Sequence, residues 1–180
     1  VSEGVCSTMN LSFSRGDDEA AVRENYRRMA KAIGVENDSF VFSMQTHTTN
    51  IRVVTSKDKG KGLATPLDYS DVDGLVTDEP GLCLTTFYAD CVPLFFLEPV
   101  KKVIGLSHSG WRGTVGKIGK KTVEVMQSEY GCHPEDILAA IGPSICQTCY
   151  EVSEDVIDAF RQNFHQQYLS LIHISEPTRP

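Results

Sequence analysis

Residues 85–113, TTFYADCVPLFFLEPVKKVIGLSHSGWRG, hold two apolar runs, Val92 to Leu97 and Val103 to Ser107, joined by Glu98-Pro99-Val100-Lys101-Lys102. Runs of this length read as neighbouring interior strands, and the segment between them as a hairpin-like joint. Cys91 stands just before the first run, after Ala89-Asp90, and His108 ends the second inside Ser-His-Ser-Gly-Trp-Arg-Gly. A soft metal ligand and a borderline one are thus set at the ends of adjacent strands. A third candidate, His47, follows Met44-Gln45-Thr46 at the edge of another strand-like run, Phe40 to Gln45.

Working outward from this stretch, Asp17-Asp18-Glu19 opens a helix over Glu19 to Ile33. Acids in the first turn suit the helix dipole, Val22, Tyr26, Met29 and Ile33 recur at helical spacing, and Gly34 supplies the C-cap. Met9 to Phe13 alternates like a strand, and Asn50 to Val54 is a further strand. The segment from Lys57 to Pro66 reads as a mobile, solvated surface loop. Leu75 to Thr77 and Leu82 to Phe87 are strands on either side of the turn Glu79-Pro80-Gly81. Beyond the opening stretch, Thr114 to Ile118 leads into a helix through Met126 and Tyr130 that stops at Gly131. Ile137 to Ile141 is a strand, and Val152 to Phe164 is a helix capped by Ser153. Helices and strands intermix without strict βαβ alternation, so an α+β fold with a mixed sheet is expected.

The length of 180 residues suits one domain with a full core, and 41% hydrophobic with 23% charged residues is ordinary for a globular chain. A net charge of −7 opposes nucleic-acid binding, which needs clustered lysine and arginine to neutralise phosphates. No apolar run reaches the roughly 18 residues of a membrane helix, and no signal-peptide pattern is visible, so a cytoplasmic protein is expected. In that compartment the six cysteines are read as reduced thiols. Cys146-Gln147-Thr148-Cys149 is a CxxC that suits zinc or redox chemistry, or else simply two small residues in a loop. Leu169 to Pro180, LSLIHISEPTRP, continues none of the patterns and resembles a translated sequencing-adapter tail. The expected domain is therefore 1–168, with His173 set aside.

A thiolate with two imidazoles is a common three-ligand zinc set, and a catalytic zinc keeps its fourth position for water or substrate. His47, Cys91 and His108 offer that set from three separate strand ends. Zinc there lowers the pKa of a bound water or polarises a substrate group. Beside His108, Arg112 is suited to clamp a phosphate or carboxylate and Trp111 to stack on a planar base, against the alternatives of a salt-bridged arginine and a core tryptophan. A metal-free site uses the same residues, with Cys91 as nucleophile, His47 or His108 as base and Asp90 orienting the imidazole. A multicopper oxidase needs more imidazoles than this surrounding offers.

Met44-Gln45-Thr46-His47, Asp71 to Thr77, Ala89-Asp90-Cys91-Val92-Pro93, His108 to Thr114 and Ile141-Gly142-Pro143-Ser144-Ile145 follow the order seen in the laccase-domain purine nucleoside phosphorylase family, earlier labelled polyphenol oxidase. The chain resembles that family from Val1 to about Phe164, as a fragment lacking the family's opening segment and its C-terminal region. The resemblance implies an αββα layered sandwich with zinc held at His47, Cys91 and His108. It also implies phosphorolysis of adenosine, inosine and methylthioadenosine, with phosphate as co-substrate, and deamination of adenosine. Copper-dependent phenol oxidation and a non-catalytic metal-binding module are the alternatives. The sequence leaves the preferred nucleoside and the oligomeric state open.

Overall fold

Asp18 and Gly34 bracket the first helix as the caps predict. In the structure, a computed structural model that describes residues 2–164, the Asp18 carboxylate accepts the Ala21 N–H at 3.1 Å, and Gly34 turns left-handed at φ 76°. Helix α1 (Glu19–Ile33) buries Val22, Tyr26 and Ala30 against Phe40, Phe42 and Leu63. Phe40 and Phe42 belong to β1 (Phe40–Phe42), which pairs in parallel with β4 (Cys83–Thr85) to make a two-stranded sheet.

The second sheet has five strands: β2 (Ile51–Val53), β3 (Gly74–Thr77), β5 (Val92–Glu98), β6 (Val103–Ser109) and β7 (Leu138–Ile141), in the spatial order β2-β3-β6-β5-β7. The β2–β3 pair is parallel and the remaining pairs are antiparallel, so the sheet is mixed. Helix α3 (Ile118–Tyr130) covers one face, where Met126 packs with Val76, Phe96 and Val103. Val41, Val54, Val72 and Leu75 fill the space between the two sheets. The layers therefore run helix, small sheet, large sheet, helix, which is the expected αββα sandwich.

Strand periodicity decides what each residue of β6 faces. Ser107 points toward α3 and hydrogen-bonds Thr122 at 2.6 Å, while its neighbour His108 turns to the other face and meets Asp73. The register of the predicted hairpin pairs Pro93 with His108 and Val92 with Ser109. Cys91 consequently arrives beside Gly110, which brings the two ends of the opening stretch together.

Four local expectations are corrected. Met9 to Phe13 is not a strand: the Asn10 side chain bonds both the N–H and the C=O of Ser12, and the Leu11 carbonyl accepts the Tyr26 hydroxyl. A polar side chain that ties its own backbone competes with strand pairing. Strand β5 is not interior on both faces, since Phe95 and Leu97 are 47% and 43% exposed, while β6 is buried along its length except at Ile104. The segment expected only to lead into the helix carries a short helix of its own, α2 (Trp111–Val115), separated from α3 by Lys117 at φ 60°.

The fourth correction concerns residues 57–66, which are tied down rather than mobile. The buried Asp58 accepts the Thr55 N–H and bonds Arg52 at 2.9 Å and Lys61 at 2.8 Å, while Leu63 enters the core. Burial pushes the Asp58 carboxyl up, but Lys61, the Thr55 N–H and Arg52 outweigh it and hold the pKa at about 2. Glycine gives this segment its turn: Gly62 sits at φ +97°, and a Cβ there would lie 2.5 Å from the Phe42 side chain. Gly62→Ala is therefore expected to destabilise the fold by roughly 2–4 kcal/mol, combining backbone strain with overpacking. Calorimetry against Gly81→Ala separates the two parts, because Gly81 shares a positive φ of 82° while a Cβ added there would meet nothing within 4 Å. The boundary expected at residue 168 and the tail beyond it lie outside the described residues.

Candidate metal centre

Asp73 is fully buried just before β3, and the site is built around its carboxylate. Oδ2 accepts the N–H groups of Thr46 and Thr48 at 2.9 and 3.0 Å, and Oδ1 accepts the His47 N–H at 3.1 Å. These bonds hold the turn that carries His47, whose φ of 65° is left-handed. For a residue with a Cβ that conformation costs on the order of 1–3 kcal/mol and persists only where the surroundings fix it. Oδ1 also meets Nδ1 of His108 at 2.7 Å, and the Asp73 carbonyl accepts the His108 N–H at 2.7 Å. A proton held on Nδ1 leaves Nε2 of His108 as its free ligand atom.

Cys91, immediately before β5, completes the group. Its Sγ lies 3.9 Å from Nε2 of His47, and the ligand atoms of His47, Cys91 and His108 all fall within 4.8 Å of one another. The imidazoles of His47 and His108 meet edge to face, with centroids 5.0 Å apart. His108 is buried, Cys91 half-buried and His47 exposed, so the group has a closed side and an open side. Burial pushes the Cys91 thiol up, and the carboxylates of Asp90 and Asp73 add to that. The donor set fits zinc: bond lengths of about 2.0–2.1 Å to nitrogen and 2.3 Å to sulfur place N and S about 3.6 Å apart in a tetrahedron. The Cys91–His47 pair, at 3.9 Å, is close to that spacing, and the full triad, whose ligand atoms lie within 4.8 Å of one another, must close inward to meet an ion.

The open side faces a cavity of about 890 Å³ whose walls include Phe13, Phe42, Met44 and Phe87 together with the three candidate ligands. Phe42 and Phe87 meet edge to face at 5.2 Å. Gln45 fixes Phe87 by accepting its N–H and donating to its carbonyl, both at 2.7 Å. The cavity thus pairs an aromatic wall with a polar, metal-ligating end, the usual composition of a small-molecule site.

Trp111 and Arg112 follow His108 on α2 but are not part of that wall. The Arg112 guanidinium lies over the Trp111 ring at 4.2 Å. Arg112 also acts electrostatically on Tyr150 and Asp155, and Tyr150 in turn feels Cys91 and Asp90. Arg112 therefore borders the site by way of Tyr150. The carboxylate that orients an imidazole is Asp73 and not Asp90, because the turn after β1 and the end of β6 converge on residue 73. Sequence reasoning also gave Gln45 no role, whereas Gly110 belongs to the glycines around His108 that allow a close backbone approach, and a Cβ there would lie 2.8 Å from His47. The one signal for Asp73 was its place in Asp71-Val72-Asp73-Gly74, an acid entering a buried strand.

The family model described as multi-copper polyphenol oxidoreductase laccase matches residues 1–178. A purine nucleoside phosphorylase of Bacillus subtilis, YlmD, is 40% identical over 164 residues, which are 89% of this chain and 58% of that protein. A purine nucleoside phosphorylase of Deinococcus radiodurans is 43% identical over 161 residues, covering 89% of this chain and 59% of the relative. A protein of an unknown prokaryotic organism named adenosine deaminase RL5 is 37% identical, covering 87% of this chain and 60% of its own length. Among solved structures, the Bacillus licheniformis hypothetical protein YfiH superposes with a TM-score of 0.85 at 37% identity, covering 93% of this chain and 63% of that one. The chain thus spans about 60% of the length of these relatives. Among the described residues no helix is long and apolar enough to cross a membrane.

Proposed function

Because the chain belongs to the multi-copper polyphenol oxidoreductase laccase family, we propose that it is a zinc-dependent purine nucleoside phosphorylase with adenosine deaminase activity. The observation that carries this reading is the convergence of His47, Cys91 and His108 at the end of an aromatic-walled cavity. The names of the relatives, phosphorylases and a deaminase, support it.

In this reading Cys91, as thiolate, and the two imidazoles hold zinc, which when bound supplies Lewis-acid polarisation to a substrate group. Asp73 keeps the His108 proton on Nδ1, so that Nε2 stays available. The purine lies against Phe87 and Phe13, because the guanidinium of Arg112 already occupies one face of Trp111. Arg112 takes the phosphate co-substrate, and Trp111 backs that arginine. The apolar wall excludes water from the reacting bond, so the ribose C1′ meets phosphate in preference to solvent. Phosphorolysis breaks the C1′–N9 bond, forms a C1′–O bond to phosphate and releases the base with a proton. Deamination instead adds water at C6 and releases ammonia. Adenosine, inosine and methylthioadenosine are the substrate class.

Incubation of the purified protein with adenosine and phosphate, followed chromatographically, should give adenine with ribose 1-phosphate, and inosine. Zinc should be recovered by metal analysis, and both products should be lost in Cys91→Ala. Formation of neither adenine nor inosine would overturn the reading; metal retained without turnover leaves a non-catalytic metal-binding module. One observation favours a second reading: two imidazoles with a thiolate also suit copper, as the family description suggests. Recovery of copper together with coloured products from phenols would establish that alternative.

A further inference from the structure

The CxxC segment stands outside the metal centre and has a geometry of its own. Cys146 precedes a single 3₁₀ turn, Gln147–Cys149, and the Cys149 N–H donates to the Cys146 carbonyl at 3.1 Å. Side chains three residues apart in such a turn eclipse one another, and a chain reversal of this kind brings the α-carbons within about 7 Å. That spacing overlaps the range of about 4.4–6.8 Å over which cysteines can be bridged. Both thiols are exposed.

From this arrangement we propose that Cys146 and Cys149 are a redox modification site, converted reversibly to an intramolecular disulfide by a low-molecular-weight disulfide. Cys146 is the attacking thiol. It hydrogen-bonds with Cys149 and with Thr148 Oγ1, the latter at 3.3 Å, and these bonds draw its pKa down to about 7. Its thiolate displaces one thiol from the oxidant and forms a mixed disulfide. Cys149 then attacks the Cys146 sulfur and displaces the second thiol. The protein loses two electrons and two protons, and one oxidant disulfide becomes two thiols.

Three of the other cysteines are poor competitors. Cys132 is buried and Cys83 and Cys91 are half-buried, and burial pushes the thiols of all three up. A metal site at the pair is less suitable, because among the described residues the only cluster of at least three metal-ligating side chains is His47, Cys91 and His108. The segment is tied to that centre at one point: the Ile145 N–H donates to the Asp90 carbonyl at 3.1 Å, one residue before Cys91. The inference is independent of the proposed reaction.

The test equilibrates the purified protein in glutathione buffers of graded reduced-to-oxidised ratio, blocks free thiols with iodoacetamide and maps the peptides by mass spectrometry. The expected result is joint protection of Cys146 and Cys149, a mass lower by two hydrogens and full reversal by dithiothreitol. In Cys149→Ser the reaction should stop at a single glutathione on residue 146, and in Cys146→Ser glutathionylation should fall at least about tenfold, to the rate of the remaining thiols. Complete alkylation of both residues at the most oxidising ratio would overturn the proposal. So would a disulfide mapped to a different pair, or a Cys149→Ser protein that gains no adduct at Cys146.

Discussion

Replacing Asp73 with alanine is expected to weaken zinc binding by about a hundredfold or more and to destabilise the fold by roughly 3–5 kcal/mol. Four donors converge on this carboxylate: the N–H groups of Thr46, His47 and Thr48, and Nδ1 of His108. Alanine leaves all of them without an acceptor, beside a position with no exposure to water. Because alanine also endangers the fold, Asp73→Asn is the sharper variant. An amide has one acceptor oxygen in place of two, so one pair of these donors faces an NH₂ group. If that pair contains His108, the ring must take its proton on Nε2, the atom that should ligate. The expected loss for Asp73→Asn is about 10–100-fold in zinc affinity, read by competition with a chromophoric chelator. The accompanying change of tautomer is read from the imidazole ¹⁵N shifts of the metal-free protein. Asp58→Asn provides the contrast: Asp58 is also buried and bonded, to Arg52, Lys61 and the Thr55 N–H, so its loss should lower stability and leave zinc affinity alone. Wild-type affinity and an unchanged tautomer in Asp73→Asn would remove the positioning role assigned to Asp73.

How far the fold was legible in the sequence follows from the range of the interactions that set it. Helix α1 was legible to its ends because its caps are local: Asp18 bonds three residues onward, and Gly34 closes on Ala30. The β5–β6 hairpin was legible for the same reason, since its strands and its joint are contiguous. Helix α2 was not, because glycine-rich Trp111 to Gly116 carries little helical signal. Residues 57–66 had the composition of a solvated loop, yet a single acid, Asp58, gathers two cations and a backbone donor to hold it. The candidate ligands were visible as residue types and through a resemblance. Asp73 was hidden because its partners lie 25 to 35 positions away in the chain.

The Gly110→Ala protein tests the metal centre from its most crowded side, and it should lose metal affinity while keeping its fold. Gly110 has φ −73° and ψ 178°, extended backbone that alanine adopts freely, so a new methyl acts through space alone. Its Cβ would stand 2.8 Å from Cδ2 of His47 and 3.1 Å from Sγ of Cys91. Both are closer than van der Waals contact, and both belong to residues whose atoms must converge on a metal. Relief requires the imidazole and the thiol to move outward. Displacements short of 1 Å are enough to cost about 100-fold in function where geometry is this demanding. As an N-cap, alanine is worse than glycine by less than about 1 kcal/mol, so the melting temperature of the metal-free protein should change little. Gly113→Ala calibrates the measurement on the same short helix: its Cβ would meet the His108 carbonyl at 3.4 Å, an ordinary contact, and no candidate ligand side chain. The expected order of zinc affinity is wild type, Gly113→Ala, then Gly110→Ala lower by about 10–100-fold, with Cys91→Ala weakest because a ligand is gone. If Gly110→Ala binds zinc as tightly as the wild type, His47 and Cys91 do not share a metal in the arrangement described, and the centre would have to be rebuilt around His108 and Asp73.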